Sequence, residues 1–151
     1  MTIGAFAIIQ NEHGRFLLSH RRDLDMWNLP GGGLESMEAP WNAVVREVRE
    51  GTGLEVTVKR LVGVYTKAGT DAIVFSLLCF VSGGQLRLTD EADEHRYFAS
   101  SEIPRKHSLS QIDRLRDFVR APEEATLKVQ SFLSTREYLA TLGRGAGPHL
   151  P

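Results

Sequence analysis

The sequence predicts an α/β/α sandwich built around a mixed β-sheet. Three observations carry this: short apolar or alternating runs recur between turn clusters, segments with a period near 3.6 interrupt them, and 151 residues suit one compact domain. That domain is expected over residues 1–142, with a flexible tail over 143–151, where glycine and proline replace periodicity. Ile3 to Ile9 and Arg15 to His20 read as two strands, joined as a hairpin through the turn cluster Asn11-Glu12-His13-Gly14. Asp23 to Asn28 is polar and loop-like, and Leu29-Pro30-Gly31-Gly32-Gly33 makes a tight turn. Pro40 suits the first turn of a helix, where its missing N–H would have had no partner. Trp41, Val44, Val45 and Val48 then recur every three or four residues, giving one buried helical face that Gly51 and Gly53 bring to an end. Strand-like runs follow at Glu55 to Tyr65 and Asp71 to Val81, then a Gly83-Gly84 turn, a charged loop from Thr89 to Glu94, and a short strand from Arg96 to Ala99. Ser110 to Val119 is helical through Ile112, Leu115, Phe118 and Val119, and Leu127 to Leu142 predicts a second helix; both would cover the sheet.

Charge is nearly balanced, 18 basic against 19 acidic residues. No extended nucleic-acid surface is therefore expected, nor a general attraction to an anionic membrane, so any phosphate recognition must be local. The N-terminal segment has no basic leader, and its apolar stretch is too short for a secretory core or a spanning helix, so a cytoplasmic protein is expected. Cys79 is the single cysteine, excluding an intrachain disulfide, and within IVFSLLCFV it reads as a small buried hydrophobe. The five histidines lack the His-Glu-x-x-His spacing of a zinc hydrolase, and His95 and His107 read as surface residues. A G-x-S-x-G elbow is absent, as are the lysine and hydroxyl of a phosphate-binding P-loop.

The most informative stretch runs from Gly32 to Leu54, GGLESMEAPWNAVVREVREGTGL. A glycine-rich turn leads directly into a helix carrying Glu47 and Glu50, three apart and so on one face, with Arg46 beside them. Magnesium prefers hard oxygen ligands, keeps several waters, and is held by a few carboxylates together with substrate phosphates, so this layout is that of a magnesium-dependent phosphate site. The residues resemble a Nudix box, G-x5-E-x7-R-E-U-x-E-E-x-G-U with U apolar: Gly32, Glu38, Arg46, Glu47, Val48, Glu50, Gly53 and Leu54 all fall on it. Gly51 stands where the pattern has the second glutamate of its pair. Met37, between Ser36 and Glu38, is a milder departure, since the family usually has glycine there.

The resemblance implies the α/β/α fold, Mg2+ or Mn2+ as cofactor, and hydrolysis of a phosphoanhydride. It implies that Glu47, Glu50 and the residue at 51 carry carboxylates to the metal, Glu47 also being a candidate base, while a backbone carbonyl at Gly31 adds an oxygen. Arg46 would orient Glu47 through an ion pair, and Glu38 would brace the junction of loop and helix. A loop such as TDEADEHRYF often supplies a further ligand in the family, which makes Glu91 and Glu94 candidates, although a charged loop is usually a solvated one. Arg21 and Arg22 close the second predicted strand and are placed either to fork onto phosphates or to sit at an edge in water. Trp27 either stacks on a base or anchors its loop to the core.

The function expected is a Nudix pyrophosphohydrolase cleaving a nucleoside diphosphate linked to another moiety, weakened by Gly51. Two alternatives share that residue as their motive: a nucleotide-binding module that has lost catalysis, and an active enzyme in which glutamate has been exchanged for glycine. The substrate is a nucleotide or nucleoside diphosphate derivative that the residues do not specify further, and the resemblance admits a homodimer.

Overall fold

A computed structural model describes residues 1–144 of the chain. Its elements run β1 (Thr2–Ile9), β2 (Phe16–Arg21), β3 (Trp27–Asn28), β4 (Gly31–Gly33), α1 (Pro40–Thr52), β5 (Leu54–Lys67), β6 (Ala72–Gly84), β7 (Ala92–Phe98), α2 (Leu109–Arg120), β8 (Thr126–Gln130) and α3 (Thr135–Arg144). A five-stranded sheet has the order β4-β1-β6-β5-β8, and a three-stranded sheet the order β3-β2-β7. The larger sheet is mixed: β1 runs parallel to β6 and β5 parallel to β8, while β4 and β6 meet β1 and β5 antiparallel.

The period of two along β1 distributes its side chains between two cores. Ala5, Ala7 and Ile9 pack with Ala43, Val44 and Val48 of α1, whereas Ile8 packs with Ile112, Leu115 and Phe118 of α2. Helices therefore cover opposite faces, as the sequence predicts. Each fully buried aliphatic side chain is worth roughly 1.5–3 kcal/mol relative to exposure. Val44 and Val48, fully buried, thus fix the rotation of α1 and set which way its acidic face points.

Several expectations are corrected. The turn at Asn11 to Gly14 forms, but β1 and β2 are not a hairpin; they diverge into separate sheets and share one bridge, Gln10 to Phe16. The loop and glycine turn contain short strands, β3 and β4, because Gly31–Gly33 pairs along Gly4–Phe6. Trp41 is exposed, and Ala43 takes the core position that helical rotation denies it. Of the two glycines expected to end the helix, Gly53 does so: the helix passes through Gly51 to Thr52, and Gly53, with φ 86°, is the left-handed cap that glycine adopts freely. Strand β7 begins at Ala92, inside the predicted charged loop. The helix expected from Leu127 is first a strand, β8, whose alternation pairs it in parallel with β5. Helix α3 starts only after Ser134, which exchanges hydrogen bonds with Glu137 in a reciprocal cap. That helix runs on through Gly143 and Arg144, where the sequence predicts the start of a flexible tail; the rest of that stretch, 145–151, lies outside the described residues. Within them, no helix is long and apolar enough to cross a membrane.

Candidate active site

Arg46 organises the acidic face of α1. Its Nε and Nη2 donate to the two carboxylate oxygens of Glu38 at 2.7 and 2.8 Å, a bidentate fork. Nη2 also donates to the Gly33 carbonyl at 3.0 Å, tying the helix to β4. Nη1 donates to Glu47 at 3.1 Å and to Glu50 at 3.2 Å, so both carboxylates lie on one side of the helix around a single cationic atom. Arg46 itself does not line the adjoining cleft. Its contacts are those of an orienting residue, and Glu38 braces the loop onto the helix.

The Glu38 carboxyl is held down to about 2, chiefly by hydrogen bonds from Arg46 and then from the Glu35 amide. Unfolding returns it toward its ordinary 4.5. The depressed group contributes stability that is complete above about 4.5 and disappears as pH falls toward about 2. Urea midpoints measured across that window should fall steeply for the parent and less steeply for Glu38→Gln; identical acid limbs would mean the pair does not couple to folding.

Met37, in the same loop, adopts φ 62° and is the only non-glycine residue with positive φ among those described. It is fully exposed, so the conformation is not repaid by packing. A left-handed non-glycine residue costs roughly 1–2 kcal/mol, partly offset by the greater unfolded-state freedom of glycine. Met37→Gly is therefore expected to raise stability by about 0.5–1 kcal/mol, seen as a higher urea midpoint at unchanged slope. A lower midpoint contradicts this account of the loop.

Glu47 stands against the cleft, its side chain 19 % exposed. A β-carbon added to Gly32 would come within 2.5 Å of its carboxylate, so glycine there is what lets this acid pack against the backbone of β4. Burial pushes the Glu47 carboxyl up, Arg46 pulls it down, and the charges of Glu50 and Glu91 add to the upward push. The cleft, about 570 Å³, is lined by Glu47, Gly51, Gly31, Arg21, Arg22 and Glu91, together with Ser19, Asn28, Asp90 and others. Glu50 is 56 % exposed and lines an adjoining depression shared with Arg22, Asp90 and Glu91. At Gly51 an added β-carbon would meet nothing within 4 Å.

Arg21 pairs with Asp23, while Arg22 donates through Nε to the Thr89 carbonyl at 2.7 Å and through its amide to the Glu91 carbonyl at 2.9 Å. Both arginines thus face the cleft, already partly engaged. Glu94 is not brought there: it pairs with Arg96 and borders a separate depression with Leu86, Arg87 and Leu88, because the shift in register between His20 and Arg21 separates it from Ala92. Trp27 is also corrected. It is buried at 9 % exposure among Leu18, Leu29 and Phe118 and makes an edge contact with Phe98, the core-anchor alternative rather than the stacking one. His107 is buried rather than at the surface, with Nδ1 2.6 Å from the Pro104 carbonyl, and burial lowers its pKa. His95 is partly covered between Ser19 and the Arg87 carbonyl. Cys79 is buried, and burial pushes its thiol up to about 12, which makes it unreactive. Ser19, Asn28, Thr89 and Asp90 also border this region without being predicted from sequence; only Thr89, a hydroxyl preceding acidic residues in a turn, carries a local signal.

Glu47, Glu50 and Glu91 present hard oxygens, and Glu47 lies where like charges crowd it, which fits a divalent cation. Among the described residues no three His, Cys, Asp or Glu side chains are gathered tightly enough to hold an ion unaided. Magnesium commonly completes its shell with water and substrate phosphates.

An α/β/α domain with a glycine strand, an acidic helix face and two arginines around one cleft presents oxygens suited to a hard cation and guanidinium groups suited to phosphate. The model of the NUDIX domain matches residues 1–118. A MutT-like protein from Streptomyces ambofaciens is 36% identical over 118 residues, covering 77% of this chain and 75% of that protein. An ADP-ribose pyrophosphatase from Methanocaldococcus jannaschii is 39% identical over 98 residues, covering 61% of this chain but only 56% of its own length. In structure, a NUDIX hydrolase from Nitrosomonas europaea superposes with a TM-score of 0.77 at 21% identity, over 87% of this chain and 79% of that one. An ADP-ribose pyrophosphatase from Streptococcus suis superposes at 0.70 with 24% identity, over 85% of this chain and 98% of that one. At such identities these two structures show the fold alone. The chain belongs to the Nudix family, whose hydrolases act on phosphoanhydride bonds.

Proposed function

We propose that this chain hydrolyses the diphosphate of a nucleoside diphosphate linked to a further group, with magnesium or manganese, at a rate held down by Gly51. The observation that carries the reading is Glu47, partly buried against Gly32 at a cleft that Arg21 and Arg22 also line. A bound divalent cation supplies positive charge against the phosphate oxygens. Glu47, with Glu50 and Glu91, would hold it, and the Gly31 backbone borders the same space. Only Nε of the Arg22 guanidinium has a partner among the described residues, which leaves its two Nη groups for phosphate. Glu47, raised by burial and kept oriented by Arg46, is suited to accept the proton of an attacking water.

Support for the substrate class comes from the names of relatives, which include an ADP-ribose pyrophosphatase and a MutT-like protein. Product release is to be measured with magnesium over ADP-ribose, dinucleoside polyphosphates, oxidised nucleotides and nucleotide sugars, beside a Gly51→Glu variant. Turnover of one class, higher in the variant, supports the proposal. Equal turnover in both proteins removes Gly51 as the limiting feature. Nucleotide binding without turnover in the parent favours the binding-module reading, which the side-chain-free helix position at Gly51 motivates.

A further inference from the structure

Ser19 sits in the wall of the cleft at 7 % exposure, so a polar ligand group set against it without a match has little water to turn to. Asn28, its register partner on β3, lines the same cleft. On its other side Ser19 is the register partner of His95 on β7, and its hydroxyl lies 2.8 Å from His95 Nδ1. The second ring nitrogen, Nε2, lies 2.7 Å from the Arg87 carbonyl. That carbonyl belongs to a segment anchored to α1, since the Arg87 amide donates to the Thr52 carbonyl at 2.9 Å.

The carbonyl at the end of this chain sets the direction of every proton in it. A carbonyl oxygen only accepts, so Nε2 carries the ring proton and donates to Arg87. In the neutral imidazole Nδ1 is then bare, and the Ser19 hydroxyl donates its single proton to it. An unengaged serine hydroxyl rotates to meet donors and acceptors alike. This one keeps only lone pairs for a ligand. The ionised diphosphate offers acceptors alone and gains nothing beside such an oxygen, whereas a nucleoside carries donors on its ribose and its base.

We propose that Ser19 is a specificity-determining acceptor for a hydrogen-bond donor on the nucleoside of the ligand, a ribose hydroxyl or an exocyclic amino group, and that His95 is the positioning residue that fixes this polarity. The inference rests on the proposed function of the same cleft.

Calorimetric titrations of the full-length chain with Mn2+, in mildly alkaline buffer that keeps imidazole neutral, use α,β-methylene-ADP and α,β-methylene-GDP as probes. Beside them stand their 2′-deoxy and 3′-deoxy forms, and the purine-riboside and inosine forms that lack the exocyclic amino group. The parent is expected to bind one donor-deficient form about fivefold or more weakly than its complete counterpart: a deoxy form where the ribose donates, a deamino form where the base does. Ser19→Ala is expected to bring that ratio to within about twofold, because the acceptor that tells the ligands apart is gone. His95→Phe should flatten the ratio with Ser19 still present, and His95→Asn, whose side-chain oxygen stands in for Nδ1, should restore it. A merely structural role would lower all affinities alike. Ligand-free thermal midpoints check folding, and Ser19→Ala decides the matter where His95→Phe does not fold. An unaltered ratio in Ser19→Ala, or a parent that binds complete and donor-deficient forms alike, overturns the role of Ser19 and leaves the proposed function standing. A ratio lost in Ser19→Ala but kept in His95→Phe overturns the part given to His95. Failure of the parent to bind any of these nucleotides overturns this inference and the proposed function together.

Discussion

Glu47→Gln is expected to lower turnover by about 10²–10⁴-fold, the range associated with loss of a positioned general base, with a further loss of metal affinity. Glutamine keeps the volume that packs against Gly32 and an oxygen for Arg46 Nη1, so the packing survives while the negative charge and the basic oxygen do not. The metal-free fold should not suffer, because the substitution relieves repulsion from Glu50 and Glu91. Initial rates at saturating magnesium, set beside thermal midpoints, separate the two effects. A glutamine variant within threefold of the parent would exclude Glu47 from the chemistry.

Gly51→Glu is the second large effect and has the opposite sign. The residue is helical, has no positive φ, and opens onto space, so a side chain enters without displacing a neighbour. The new carboxylate lies four residues beyond Glu47 and next to Glu50, and restores a unit charge where the cation is to be held. Magnesium affinity should rise by about tenfold or more and turnover with it. Stability gives an independent readout. Replacing a helical glycine gains up to about 1 kcal/mol, offset by about 0.2–0.5 kcal/mol of like-charge repulsion at the i,i+4 spacing. The metal-free gain should be small, and magnesium should then raise the melting temperature of the variant more than that of the parent. Unchanged affinity with an unchanged metal-dependent shift would show that a carboxylate at 51 does not reach the cation.

The parts of the fold that were legible in the sequence are those where local pattern and tertiary packing agree. Val44 and Val48 mark the buried face of α1 by spacing alone, and that face settles the direction of Glu47 and Glu50. Trp41 fits the same period yet is exposed, Ala43 taking the core position beside Val44 instead. Strand β8 lies where the sequence predicts helix, because Leu127 begins an apolar pattern compatible with both periods; its pairing with β5, 63 residues earlier in register at Val64, is a long-range fact. The reciprocal cap of Ser134 and Glu137 marks where α3 starts, seven residues beyond Leu127. Within the site, Glu38, Arg46, Glu47 and Gly32 were readable because they are local to one loop and helix. Asp90, Asn28 and Ser19 were not, since the cleft gathers them from β2, from β3 and from the loop before β7, which come together through long-range pairing of β2 with β3 and β7. Trp27 and Glu94 show the converse: residue types suited to the chemistry, turned elsewhere by packing and by a register shift.

The central claim, that Glu47 faces a cation-held diphosphate in the cleft between β4, α1 and the loop from Thr89 to Glu91, is tested most directly by anomalous diffraction from crystals grown with Mn2+ and α,β-methylene-ADP. The account predicts a manganese peak in direct contact with the Glu47 carboxylate and the diphosphate lying toward Arg22. Manganese and nucleotide bound at another surface, with Glu47 contacting only Arg46, would contradict it.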